Sequence, residues 1–133
     1  MKSRSFRLPG GDLEYAILTK LWELGSASVR DLHAQVGEPQ GLVYTTTAKV
    51  LDRLHIKGLI DRERKGTAFI YRPRAARAQV EAARARNFLT RLLGPSPRLA
   101  VASLVDAVEA LDPNLVDELA AIIAARRRSQ DGT

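Results

Sequence analysis

The chain has 133 residues, 45% hydrophobic and 27% charged, the balance of a soluble globular protein with one modest core or two small ones. It holds no cysteine, which excludes disulfides and thiolate metal sites, and no apolar run near the ~20 residues that a membrane helix needs. Against 15 Asp and Glu stand 21 Lys and Arg, a formal charge of +6, which favours a polyanionic partner. Residues 1–74 carry 13 cations and 8 anions, whereas 75–133 carry 8 and 7, which places the excess in the first half.

Met1 to Gly11 reads as a basic arm ending in the breakers Pro9, Gly10 and Gly11. It has charge but no apolar stretch, so it does not have the form of a secretory signal, and a cytoplasmic, nucleoid-associated protein is expected. With Asp12 as N-cap, Leu13 to Leu24 gives a helix whose stripe is Leu13, Ile17, Leu21 and Leu24, widened by Leu18 and Trp22. Gly25 stops it. Ser28 then caps a short helix with Val29, Leu32 and Val36 facing inward, and Glu38-Pro39-Gln40-Gly41 makes a turn.

The central stretch is Leu42 to Lys57. At helical spacing Thr47, Val50, Leu51 and Leu54 fall on one side. The other side carries Thr45, Thr46, Ala48, Lys49, Asp52 and Arg53, with Tyr44 at its start. Short hydroxylated residues first and cations further along suit a helix that enters a DNA groove. A solvated face on an ordinary core helix fits the same residues taken alone. The preceding short helix and turn make the pair a helix-turn-helix.

After Gly58 the period changes. Residues 59–65 and 68–73 read as two strands around a Gly66-Thr67 turn, with Phe69 and Tyr71 on one face. A hairpin placed directly after a helix-turn-helix is the wing of a winged helix. It brings Arg62, Arg64 and Lys65 to where a phosphate backbone can lie.

From Ala75 the chain turns Ala- and Arg-rich, and three helices are expected. Arg77 to Leu93 contains Val80, Phe88, Leu89, Leu92 and Leu93. Leu99 to Leu111 contains Leu104, Val105, Val108 and Leu111 on one stripe. The third runs from Asn114 to about Arg128, with Asp112 as cap, Pro113 first, and Leu115, Leu119, Ile122 and Ile123 as its stripe. Arg126, Arg127 and Arg128 suit the negative end of that helix. So short a segment cannot bury all these stripes alone, and pairing with a second copy through Phe88, Leu92, Leu104, Val108, Leu119 and Ile122 would do so. The expected fold is therefore mostly α with a small β-hairpin wing. Its domains are a basic arm (1–11), a winged-helix DNA-binding domain (12–74) and a helical dimerisation region (75–133). The two histidines, His33 and His55, have no ligand spacing, and no carboxylates cluster. Neither enzyme chemistry nor a metal or cofactor is expected.

The strings Leu13-Glu14, Leu21-Trp22, Val29-Arg30-Asp31-Leu32, Tyr44-Thr45-Thr46, Leu51-Asp52-Arg53-Leu54, Lys57-Gly58-Leu59 and Tyr71-Arg72-Pro73 together resemble the penicillinase-repressor family of BlaI/MecI/CopY type. The resemblance is close over residues 8–74 and extends in helix count beyond them. It implies a homodimeric transcriptional repressor on a dyad-symmetric, palindromic operator. Tyr44, Thr45, Thr46 and Lys49 then belong to the recognition helix, Arg53 to a phosphate contact, and Arg62, Arg64 and Lys65 to the wing. The copper-responsive branch uses C-terminal cysteines, which this chain lacks. In the β-lactam branch a sensor-peptidase system leads to cleavage at an Asn-Phe bond in the C-terminal region. Asn87-Phe88 lies one helix too early, and the expected place reads Ala102-Ser103-Leu104, so the pair is read as coincidence. Two other readings remain open at this level. One is an effector-responsive winged-helix regulator of another family, and the other is a winged helix that meets an acidic protein partner.

Overall fold

The structure, a computed structural model, describes residues 5–132. In order it contains α1 (Gly11–Leu24), β1 (Ala27–Ser28), α2 (Val29–Leu32), α3 (Tyr44–Ile56), β2 (Ile60–Lys65), β3 (Ala68–Pro73), α4 (Arg77–Leu93), α5 (Pro97–Leu111) and α6 (Pro113–Asp131). The chain forms two compact units that divide between Ala85 and Arg86, within α4.

The core of the first unit comes from the expected faces. Ile17, Leu18 and Leu21 of α1 are fully buried, as are Val50, Leu51 and Leu54 of α3 and Leu32 of α2. Each such Leu or Ile contributes about 1.5–3 kcal/mol by leaving water. Leu24, expected on the α1 stripe, is instead 41% exposed. It is the last helical residue, where the axis has carried the stripe past the core. Asp12 is not the cap either. The helix begins one residue earlier, with Gly10 at the N-cap position and no side-chain cap. The Gly10 N–H is satisfied from within the helix, by Glu14 Oε1 at 3.0 Å.

Ser28 does cap α2, in a reciprocal box in which its Oγ accepts from Asp31 N–H and Asp31 Oδ2 accepts from Ser28 N–H. The α-helix then lasts one turn. Residues His33–Gly37 widen into a π-helical turn and Glu38–Gln40 tighten into a 3-10 turn before Gly41 reverses the chain at φ 76°.

The two-strand hairpin has a third member. β1 pairs antiparallel with β3, and β3 with β2, in the order β1-β3-β2. At two residues β1 is too short to show any alternation, which is why the sequence does not reveal it. Ser5 to Gly10 are also better ordered than a loose arm. Phe6 and Leu8 pack against the core, and the Arg7 N–H donates to the Lys57 carbonyl at 2.8 Å. The arm's first four residues lie outside the described ones.

The start of α4 belongs to the first unit. Val80 is fully buried, Trp22 Nε1 donates to the Ala75 carbonyl at 3.0 Å, and the Tyr15 hydroxyl donates to Glu81 Oε2 at 2.8 Å. That hydrogen bond from Tyr15, with those from Arg84, holds the Glu81 carboxyl below its usual range.

In the second unit α5 packs on α6, and Asp112 caps α6 by accepting from Asn114 N–H at 3.0 Å. The helix continues to Asp131, so Arg126 and Arg127 precede its last turn and only Arg128 falls in it. No described residue from Arg86 onward is buried. Phe88, expected in a core, is 54% exposed, and Leu115, Ile122 and Ile123 are open as well. Within one chain the three stripes have too little to pack against.

Candidate nucleic-acid interface

The surface of interest is built on α3. Its inner face is fixed by Thr47, Val50, Leu51 and Leu54, all fully buried, so helical geometry alone turns Thr45, Lys49, Asp52 and Arg53 outward. Thr45 and Lys49 are exposed, Thr46 is partly buried, and Tyr44 is half exposed at the helix start beside an open Val43. Val43 supplies the N-cap backbone but no side-chain cap.

Three contacts hold this helix in place. Toward its start, Thr47 Oγ1 shares a 2.8 Å hydrogen bond with His33 Nδ1, and the His33 ring meets the edge of Tyr44 at 5.6 Å. Gly37 allows this approach, because a Cβ there would collide with both Thr47 Oγ1 and His33 Nδ1. His33 is thus a partnered residue between two helices rather than a ligand. Among the described residues no group of His, Asp and Glu could hold a metal ion.

Toward the helix end stands Glu14, a buried acid that the sequence reading left out. Its Oε1 accepts from Lys57 Nζ at 2.6 Å and from Gly10 N–H, while Oε2 accepts from Arg53 Nε at 3.2 Å. Burial pushes the carboxyl pKa up, but the Lys57 and Gly10 hydrogen bonds, the Lys57 charge and the Arg53 bond outweigh it, and the group sits below its usual 4.5. Glu14 occupies a helix position one turn before Ile17, where an apolar residue would fit equally well. Nothing in its spacing distinguishes it from a surface acid.

Arg53 therefore has a partner within the protein. Its side chain remains 52% exposed, so the same guanidinium can also face outward.

On the hairpin, Arg62 stands across from Tyr71 and Arg64 across from Phe69. Strand alternation puts these four on one face and Lys65 on the other, beside Glu63 at 3.8 Å. The three wing cations thus share the hairpin but not a side, and Arg62 lies at its base, across from Tyr71. Arg62 Nη1 donates to Asp52 Oδ1 of α3 at 3.2 Å, and both Arg62 and Arg64 lie over the Phe69 ring, at 4.5 and 5.5 Å. A cleft of about 730 Å³ runs between α3 and the hairpin, lined by Arg30, Tyr44, Asp52, Arg62, Phe69 and Tyr71 among others. Arg30 enters the sequence reading only as part of the family-like string Val29-Arg30-Asp31-Leu32, with no site role, because inside a capping motif it reads as helix surface.

The first unit thus brings together Tyr44, Thr45, Lys49, Arg62 and Arg64 around one exposed helix and one cleft. The dimerisation candidates Phe88, Leu92, Leu104, Val108, Leu119 and Ile122 all lie in the second unit. There Phe88, Leu92 and Ile122 are exposed and the other three partly buried.

The sequence profile of the family described as "Penicillinase repressor" matches residues 10–125. The solution structure of the DNA binding domain of the repressor BlaI is similar at a TM-score of 0.50 and 20% identity, covering 55% of this chain and 90% of that one. The PcaV transcriptional regulator from Streptomyces coelicolor, in complex with its natural ligand, superposes at 0.46 and 22% identity, over 95% of this chain and 78% of that one. No curated protein sequence matches. Helix-turn-helix, wing and a profile match spanning most of the sequence lead to one assignment: the chain belongs to the penicillinase repressor family of DNA-binding transcriptional regulators.

Proposed function

We propose that the protein is a homodimeric repressor that binds a dyad-symmetric operator, with α3 in the major groove and the wing along the backbone. The observation that carries this reading is the exposed outer face of α3. Thr45 and Lys49 have no structural work to do there, and Tyr44 and the cleft toward Arg62 border them. Thr45 and Thr46 reach base edges through methyl or hydroxyl groups, and Lys49 reaches guanine acceptors. Arg53, Arg62, Arg64 and Lys65 neutralise phosphates, which sets register and makes affinity fall with salt. Arg53 does so while still anchored on Glu14.

The second unit supplies the partner contact. Its helices leave Phe88, Leu92 and Ile122 open, and a second copy of the same stripe is the occupant that an isologous two-fold interface provides. Such a dimer matches the two-fold symmetry of a palindromic site. The protein acts in the cytoplasm, at the nucleoid. Among the described residues no helix is long and apolar enough to cross a membrane.

Selection of bound duplexes from a random-sequence library by the purified protein tests the reading. An enriched inverted repeat, protected on both half-sites, is the expected result. Enrichment of no sequence at low salt would overturn it.

A further inference from the structure

The outer face of α3 contains one acid, Asp52, and on a helix that meets a polyanion this charge repels the ligand. Its position in the structure gives it a role. β1 pairs only with Ile70 and Tyr71 of β3, so beyond that level Arg64, Lys65, Ala68 and Phe69 form a two-stranded ribbon without a third neighbour. Two-stranded ribbons are marginal by themselves and take their direction from whatever packs at their base. At this base lie the Phe69 ring, the Arg62 guanidinium 4.5 Å above it, and the Asp52 carboxylate that receives Arg62 Nη1. The Arg62 side chain is only 32% exposed, low for an arginine on a hairpin, while Asp52 is 58% exposed. The arginine is thus drawn in toward the helix. Beyond the buried Ile60, Asp52 and Arg62 tie the edge strand of the sheet to α3.

We propose that Asp52 is a positioning residue for DNA binding. By holding Arg62 between α3 and Phe69, it sets the angle at which the wing tip delivers Arg64 and Lys65 to the backbone flanking the bases that α3 reads. This inference rests on the operator-binding reading above. Asp52 costs general affinity through repulsion and returns discrimination, because only a wing fixed relative to α3 rewards the correct register.

The test uses the full-length protein, a duplex enriched from the library and a scrambled duplex of equal composition. With Asp52→Asn, affinity for the scrambled duplex rises or holds as a repulsive charge is lost. The ratio of selected to scrambled binding falls by about threefold to tenfold, the range of a partly exposed ion pair coupled to its neighbours. Asp52→Glu, which keeps the carboxylate, retains the ratio. A second readout needs no DNA. The chain has no cysteine, so Thr67→Cys at the wing tip and Gln35→Cys on the body take two spin labels cleanly. The distance distribution is narrow in the otherwise native protein and with Asp52→Glu, and broad with Asp52→Asn. If Asp52→Asn raises both affinities equally, or leaves the distribution narrow, Asp52 is an ordinary surface charge and the proposal is wrong. Should the native protein bind no duplex, the operator reading fails, while the label distances still decide whether the wing is clasped.

Discussion

Lys49 and Glu14 show how differently two charges on neighbouring helices are used. Lys49 is exposed on the outer face of α3, so its replacement by Ala should leave the fold intact. It should cost about 1–3 kcal/mol of binding to the selected duplex, and far less on random DNA. Equal losses on both, in parallel titrations, would reassign Lys49 to phosphate. Glu14 is the reverse case, buried and surrounded by Lys57, Arg53 and the Gly10 N–H. Its folded-state pKa lies below the usual 4.5, so its contribution to stability is fully present above that pH and is lost as pH falls through the lowered value. Denaturant midpoints should therefore drop on acidification below about pH 4.5 in the native protein and drop less steeply in Glu14→Gln. At neutral pH that variant should be less stable by roughly 2 kcal/mol, having left Lys57 without its partner. A pH profile identical to that of the native protein would remove Glu14 from this account.

At the scale of elements, the helix-turn-helix is joined by a close approach as well as by the buried Leu32 and Val36. Gly37 sits at an ordinary helical φ of −69°, so what it provides is space, not backbone freedom. Its Cα faces the Thr47 and His33 pair that aligns the two helices. Gly37→Ala should cost about 1–3 kcal/mol in urea denaturation through overpacking. Operator affinity should weaken further, because α3 is tilted as well as loosened. A variant with native stability and native affinity would mean that the His33 ring moves aside without consequence. Gly66 is different in kind, a hairpin glycine at φ 65° with open space around it. There the requirement is conformational, and it is legible from the sequence as a turn between two strands.

For the whole molecule, the two units divide the work that the proposed function needs. Leu104→Asp on α5 and Leu119→Asp on α6 should each yield monomers by sedimentation and lose operator binding with them, while the first unit keeps its own fold. An intact dimer in both variants would show that these stripes are not the contact. The same proteins bound to random DNA should keep a steep dependence on salt, since phosphate neutralisation by the first unit does not require pairing. The Asn87-Phe88 pair lies inside α4 as regular helix, so an extended-chain peptidase would first have to unwind it.

The periodicity of the sequence determined the order of the helices, the inner face of α3, the wing and the apolar stripes of the C-terminal region, because each is a local pattern repeated over several turns. The helix expected within Leu42 to Lys57, and observed from Tyr44 to Ile56, could be drawn from spacing, and with it the outward position of Thr45 and Lys49. What sits between elements could not. Glu14 beneath Lys57 and Arg53, His33 against Thr47, the two-residue strand β1 and the Asp52–Arg62 clasp are pairings across 10 to 44 residues of chain, and no repeat announces them. The tertiary structure decided those, since each depends on which faces the core turns toward each other. It decided as well that the start of α4 belongs with the first unit, where Val80 finds a core that the rest of that region does not provide.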